Sequence, residues 1–211
     1  MVEIKICGFT RRQDIDDALA LGIKIIGLNF YPESPRYVSL QKAKELLSGI
    51  KGGTTTIGVF VNPEEEDLFQ IVSSLNLSGV QLHGDEPPSL IENLRKELPG
   101  KIFIKGLRVR DRKGLEEDIK RYSPDFYLLD AYDRFIPGGT GKRIETSLLD
   151  GLDIIWEKVF LAGGITPDNV KGILKIFHPY GIDVASGVES SPGIKDRRKM
   201  EALIKNIQDI K

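Results

Sequence analysis

Eight times along the 211-residue chain, an apolar or β-branched run leads into a turn rich in Gly, Asn or Pro and then into an amphipathic stretch. The runs are Ile4–Cys7, Ile23–Phe30, Thr55–Val61, Gly79–His83, Ile102–Lys105, Phe126–Asp130, Val159–Ala162 and Gly181–Ala185. Their C-terminal ends lie about 22 to 32 residues apart, room for one helix and two short loops, which is what a parallel crossover demands. Eight such units without a linker or a break in composition predict a closed (β/α)8 TIM barrel, a single catalytic domain over residues 1–211. The doubly wound open sheet is the competing architecture, but it uses fewer strands and leaves edges. The first turn, Cys7-Gly8-Phe9-Thr10, also lacks the dinucleotide glycine pattern, and no P-loop occurs.

The intervening stretches carry helix grammar. Gln13–Leu21 and Ser39–Ser48 space their apolar residues by three and four, with Ser39 as N-cap. Asn62-Pro63 ahead of Glu64–Asp67 reads as an N-cap, an N1 proline and first-turn acids, and Thr166-Pro167-Asp168 repeats the pattern. Asp196–Ile210 closes the chain as a last amphipathic helix. The sixth unit departs from the rule, with a long Gly-rich loop and a weak helix around Glu145–Asp150.

Charge narrows the partners. Thirty Lys and Arg against 31 Asp and Glu leave no basic surplus for nucleic acid. No run is long enough to cross a bilayer, and Met1–Gly8 reads as a short charged strand rather than a signal peptide. One cysteine cannot form an internal disulfide, so a cytoplasmic location is expected. Two histidines and one cysteine are too few for a dedicated zinc site, and no metal or organic cofactor is expected.

In barrels of this kind chemistry gathers at the C-terminal ends of the strands. Those ends read Cys7, Asn29, Asn62, His83, Lys105, Asp130, Gly163-Gly164 and Ser186-Gly187, polar or glycine where the strand middles are apolar. Some of these simply mark where strand becomes loop. Strand alternation puts Lys5 and Cys7 on the inner face of the first strand and Asp183 on the inner face of the eighth. Closure makes those strands neighbours, so Lys5 is expected to pair with Asp183 beneath Cys7, because neither charge tolerates burial alone. An ammonium there favours the reactive thiolate. A lone buried cysteine is otherwise an inert small hydrophobe, and Asp130 reads equally as a loop cap. Together the two can divide acid and base roles. The Gly163-Gly164 and Ser186-Gly187 ends stand where barrels commonly bind phosphate. Arg36, in a proline-flanked loop, suits a carboxylate or phosphate or is merely solvated. Residues 137–142 read as a lid or as a plain flexible loop, and His83 as a proton-handling or a structural turn residue.

The motifs Lys5-Ile6-Cys7-Gly8, Phe30-Tyr31-Pro32, Ser34-Pro35-Arg36-Tyr37, Gly58–Asn62 and Val80–Gly84 fall in order. Leu128-Leu129-Asp130, Gly138–Gly141, Ala162-Gly163-Gly164 and Asp183–Glu189 complete the series. Along essentially its whole length the chain resembles the phosphoribosylanthranilate isomerase family of tryptophan biosynthesis. The resemblance implies an Amadori rearrangement of N-(5-phosphoribosyl)anthranilate, a small phosphorylated sugar-anthranilate, to 1-(2-carboxyphenylamino)-1-deoxyribulose 5-phosphate. It makes Cys7 the general base and Asp130 the general acid, and gives Arg36 the anthranilate carboxylate. Gly141, Gly163, Gly164, Asp183, Ser186 and Gly187 become further substrate-binding positions.

Ile144-Glu145-Thr146 stands where the family often has Phe-Asp-Trp, which bears on the sixth-loop lid rather than on the acid and base. The related isomerase of histidine biosynthesis is the enzymatic rival. It resembles a twofold repeat with an aspartate in place of Cys7 and two phosphate sites, and the first half here lacks a second glycine pair. A ribulose-phosphate epimerase wants metal-ligating histidines. A non-catalytic phosphate-binding barrel would have no need of both Cys7 and Asp130.

Overall fold

The computed structural model describes residues 2–50, 52–130, 148–149 and 151–210. Parallel strands β1 (Glu3–Cys7), β2 (Ile25–Asn29), β3 (Thr55–Phe60), β4 (Gly79–Leu82), β5 (Ile102–Arg108), β6 (Phe126–Asp130), β7 (Val159–Ala162) and β8 (Gly181–Val184) pair in chain order. β8 returns to β1, with Lys5 opposite Asp183, and closes the barrel. Outside it lie α1 (Arg12–Ala20), α2 (Leu40–Leu47), α3 (Glu65–Leu75), α4 (Pro88–Glu97), α5 (Arg112–Arg121), α6 (Val170–Ile176) and α7 (Arg197–Gln208).

The period-two alternation of the strands sorts side chains into two cores. Ile25, Ile57, Ile104, Leu128, Phe160 and Ala162 fill the barrel interior. Ile6, Ile26, Leu82, Phe103, Leu129, Leu161 and Ile182 point the other way and meet the buried faces of the helices, such as Ile15, Leu68, Leu94 and Leu203. A parallel sheet covered on both faces reads as near-continuous apolar runs, which is why the strands are visible in the sequence. Where polar side chains interrupt the inner face, they lie toward the mouth, where the chemistry is expected.

Three helix starts follow from side-chain capping: Ser39 accepts from Lys42 N, Asp111 from Gly114 N, and Asp196 from Arg198 N and Lys199 N. Such caps are worth about 1 kcal/mol each. The expected starts at Asn62 and Thr166 are displaced. Asn62 takes a left-handed backbone (φ 44) and its side chain accepts from Asp85 N, so α3 begins at Glu65 and keeps its first-turn acids Glu65, Glu66 and Asp67. The Thr166 segment forms a turn, and α6 starts at Val170. The sixth-loop features, residues 137–142, Gly141 and Ile144-Glu145-Thr146, lie outside the described residues, as does most of the Glu145–Asp150 stretch. Among the described residues no helix is long and apolar enough to cross a membrane.

Lys105 departs from the sequence expectation in another way. β5 does not stop there but runs on to Arg108, and Ile104, not Lys105, faces the interior. Lys105 is buried on the helix side, where its ammonium donates to Glu86 Oε2 (2.8 Å) and Gly84 O (2.7 Å). Glu86 also accepts from Asn62 N and Gly84 N, which ties the ends of β3 and β4 together. Removing one partner of a buried pair strands the other charge. Glu86→Ala should therefore lower the unfolding free energy by about 3–5 kcal/mol, and adding Lys105→Met should recover much of that loss. Urea denaturation of the two variants checks both statements.

Candidate active site

The C-terminal rim of β1 carries Cys7 beneath a lattice of charge. Lys5, fully buried, donates to Asp183 Oδ1 at 2.8 Å, the pairing expected from alternation and closure. Burial alone would pull the Lys5 ammonium down, but Asp183 and the neighbouring thiol outweigh it and raise its pKa above the ordinary lysine value. For Cys7 the balance runs the opposite way. Burial pushes the thiol up, and the nearby Lys5 and Lys195 ammoniums offset only part of that. The sequence expectation that Lys5 favours the thiolate is right in sign and smaller than the effect of burial.

Lys195 belongs to a feature that strand and helix periodicity does not reveal. After a short 3-10 turn at Ser186–Val188 the chain forms a hairpin of β9 (Glu189–Ser191) and β10 (Ile194–Lys195). The hairpin folds Lys195 over the mouth, where its ammonium donates to Cys7 O (2.5 Å), Ala185 O (3.3 Å) and Glu189 Oε1 (2.8 Å). Its backbone N–H donates to Asp14 of α1, which pins the hairpin to the barrel.

Glu189 is the hub. Arg36 Nε and Nη2 donate to its two oxygens at 2.8 and 2.7 Å, and Gly193 N donates to Oε1. Burial works to raise this carboxyl, but the Arg36 and Lys195 bonds win and hold it below the usual carboxylate range. Arg36 thus reaches the mouth, yet not as a free fork, because one edge of its guanidinium is taken by Glu189. Gly8 makes this possible. It adopts φ 81, and a Cβ there would collide with Arg36 Cδ. The loop that delivers Arg36 is braced by Asn29, whose amide donates to Ser34 Oγ and accepts from Tyr31 N, while Ser34 Oγ accepts from Arg36 N. Asn29 and Asn62 are loop braces.

Loops seven and eight meet where the sequence places a phosphate site. Gly163 and Gly164 both have positive φ, and Asn169 closes the turn by donating to Gly164 O and accepting from Thr166 N. A Cβ on Gly187 would overlap Ile165 O, so the two loops touch backbone to backbone only because residue 187 is glycine. Ser186 is exposed beside them. Asp130 ends β6, opposite Arg108 of β5, with Oδ2 3.6 Å from His83 Nε2 and Oδ1 buried without a hydrogen-bond partner.

The family model described as N-(5'phosphoribosyl)anthranilate (PRA) isomerase matches residues 4–206. The chain belongs to the PRA isomerase family. The N-(5'-phosphoribosyl)anthranilate isomerase of Microcystis aeruginosa is 39% identical over 98% of this chain and 98% of its own. The crystal structure of phosphoribosyl anthranilate isomerase from Thermotoga maritima matches with TM-score 0.88 and 32% identity, covering 99% of each chain. A second isomerase crystal structure, in complex with reduced 1-(o-carboxyphenylamino)-1-deoxyribulose 5-phosphate, matches with TM-score 0.83 and 31% identity over 99% of each chain.

In this PRA isomerase barrel the structure brings Cys7, Arg36 and Asp183 together around the β1–β8 seam, and Gly163, Gly164, Ser186 and Gly187 around loops seven and eight. Asp130 stands on β6. Sequence reasoning passes over Lys195 and meets Glu189 only as part of a motif; their shared signal is a charged pair flanking the Ser191-Pro192-Gly193 turn. Cys7 is the sole cysteine, so thiolate absorbance reports on it alone. Lys5→Met removes an attractive charge and leaves Asp183 uncompensated, so the absorbance midpoint should move to higher pH. A midpoint that stays or falls would contradict this electrostatic picture.

Proposed function

We propose that Cys7 and Asp130 perform, as base and acid, the Amadori rearrangement of phosphoribosylanthranilate for which this family is named. Asp130 gives its proton to the furanose ring oxygen. The C1–O bond breaks as the anilino nitrogen lone pair forms an iminium. Cys7, as thiolate, takes the C2 proton, and those electrons close the C1=C2 bond of an enolamine and neutralise the nitrogen. Ketonisation then places a proton on C1 and removes one from the C2 hydroxyl, so no proton is gained or lost overall.

The observation that carries this reading is the unlike setting of the two groups. The thiol sits beside the Lys5 and Lys195 ammoniums, which offset part of the burial and the Asp183 charge that raise it, while Asp130 ends β6 with one buried oxygen that has no hydrogen-bond partner. The remaining N–H groups of Arg36 take the anthranilate carboxylate. The Gly163-Gly164 and Ser186-Gly187 backbones take the phosphate, the Gly187 contact with Ile165 fixing their spacing. Asp183 acts beneath the substrate through Lys5. The compound bound in the second crystal structure carries a carboxyphenyl group and a 5-phosphate, which fits these two assignments. A single cysteine and a biosynthetic metabolite support a cytoplasmic setting.

Purified protein should consume the fluorescent anthranilate substrate generated in situ; a folded barrel without turnover would sink the proposal. Cys7→Ala and Asp130→Asn should each lower kcat by roughly 10²- to 10⁴-fold. Arg36→Ala and Gly187→Ala should chiefly raise KM, and a pure kcat defect in Arg36→Ala would contradict its role as the carboxylate holder.

A further inference from the structure

Two buried side-chain atoms among the described residues have no hydrogen-bond partner, Asp130 Oδ1 and Gln81 Oε1, and one histidine connects the residues that own them. Gln81 is buried on β4, and its Nε2 lies 3.0 Å from His83 Nδ1. The other ring nitrogen, Nε2, lies 3.6 Å from Asp130 Oδ2. The imidazole therefore crosses from the end of β4, over β5, to the end of β6. It can do so because residue 106 of β5 is glycine, and a Cβ there would collide with His83 Nδ1.

Hydrogen-bond accounting sets the roles. An amide NH2 only donates, so Gln81 Nε2 facing Nδ1 makes that nitrogen the acceptor and puts the imidazole proton on Nε2. That proton points toward Asp130 Oδ2. The reverse amide orientation would put the ring proton on Nδ1 and leave Nε2 able only to accept, so it could meet Asp130 Oδ2 only where that oxygen carries the proton. A 3.6 Å approach is longer than a hydrogen bond, and catalytic contacts of this kind tighten when substrate closes the site.

We propose that His83, held by Gln81 as the Nε2–H tautomer, is a positioning residue for Asp130. It engages Oδ2 and fixes the rotation of the carboxyl group that exchanges a proton with the sugar. As that proton leaves, the Nε2–H dipole stabilises the charge developing on the carboxylate. Gln81 acts one step further back, by choosing the tautomer. This inference rests on Asp130 being the general acid.

The chain has two histidines, His83 and His178, so nitrogen NMR of labelled protein resolves the tautomer directly, with His83→Gln identifying the signal by its loss. The expected result is a protonated Nε2 and a pyridine-like Nδ1; the opposite tautomer overturns the proposal. His83→Ala should lower kcat by about ten- to a hundredfold with KM nearly unchanged. His83→Gln, whose amide can restore a donor near Oδ2, should recover about tenfold of that loss. Equal rates for the two variants, or a change confined to KM, would show that the ring only fills space. If His83→Ala does not fold, Gln81→Leu leaves the ring in place, and it should lower kcat while releasing the tautomer preference. An inactive Asp130→Asn beside a fully active His83→Ala refutes the positioning role alone, whereas an active Asp130→Asn refutes the acid assignment itself.

Discussion

The ion pair between Lys5 and Asp183 is the contact on which the site depends. It spans the seam where β8 meets β1, in a register that sets the two residues side by side on the inner face. Forming such a pair out of water gains little net stability, while losing either member leaves an uncompensated charge in the barrel. Its value here is positional. A fixed ammonium is placed beneath Cys7 and stays charged, because Asp183 and the thiol more than offset its burial. The same burial raises the thiol, so a shielded cation and a reluctant thiol arise from one cause.

Charge then builds outward from that seam. Lys5, Lys195 and Arg36 face Asp183 and Glu189, a network with one more cation than anion. On the proposed reading, the unmatched positive charge is shared by the Cys7 thiolate and a substrate carboxylate. Glu189 prevents a simpler outcome in which Arg36 swings to solvent. By gripping one edge of the guanidinium it holds the rest over the mouth and preserves the bidentate geometry that distinguishes Arg from Lys. The hairpin therefore fixes Arg36 at the mouth even though it lies outside the barrel.

The barrel is legible in the sequence because its strands are buried on both faces and write apolar runs into it, and every run but the sixth is followed by clear helix periodicity. The Lys5–Asp183 pair is legible for a related reason: alternation and closure are local rules that compose into one long-range contact. Expectation fails where tertiary contact outranks local grammar. Asn62-Pro63 looks like a helix start, but Asn62 is drawn back to cap the next loop at Asp85. Lys105 looks like a strand end, because nothing local announces the Glu86 that buries it. Lys195 reaches the mouth through a hairpin of strands too short to show a period.

The polar strand ends, alike in sequence, separate once their hydrogen bonds are counted. Asn29 spends both amide atoms on its own loop, and Lys105 is saturated by carbonyl groups and Glu86. Both side chains are held by the loops and strands around them. Asp130 Oδ1 and Gln81 Oε1 are buried and unpartnered, each at a cost of about 1–3 kcal/mol in a folded chain. The two unsatisfied atoms belong to residues on either side of His83, and they are visible only when the donors around them are known.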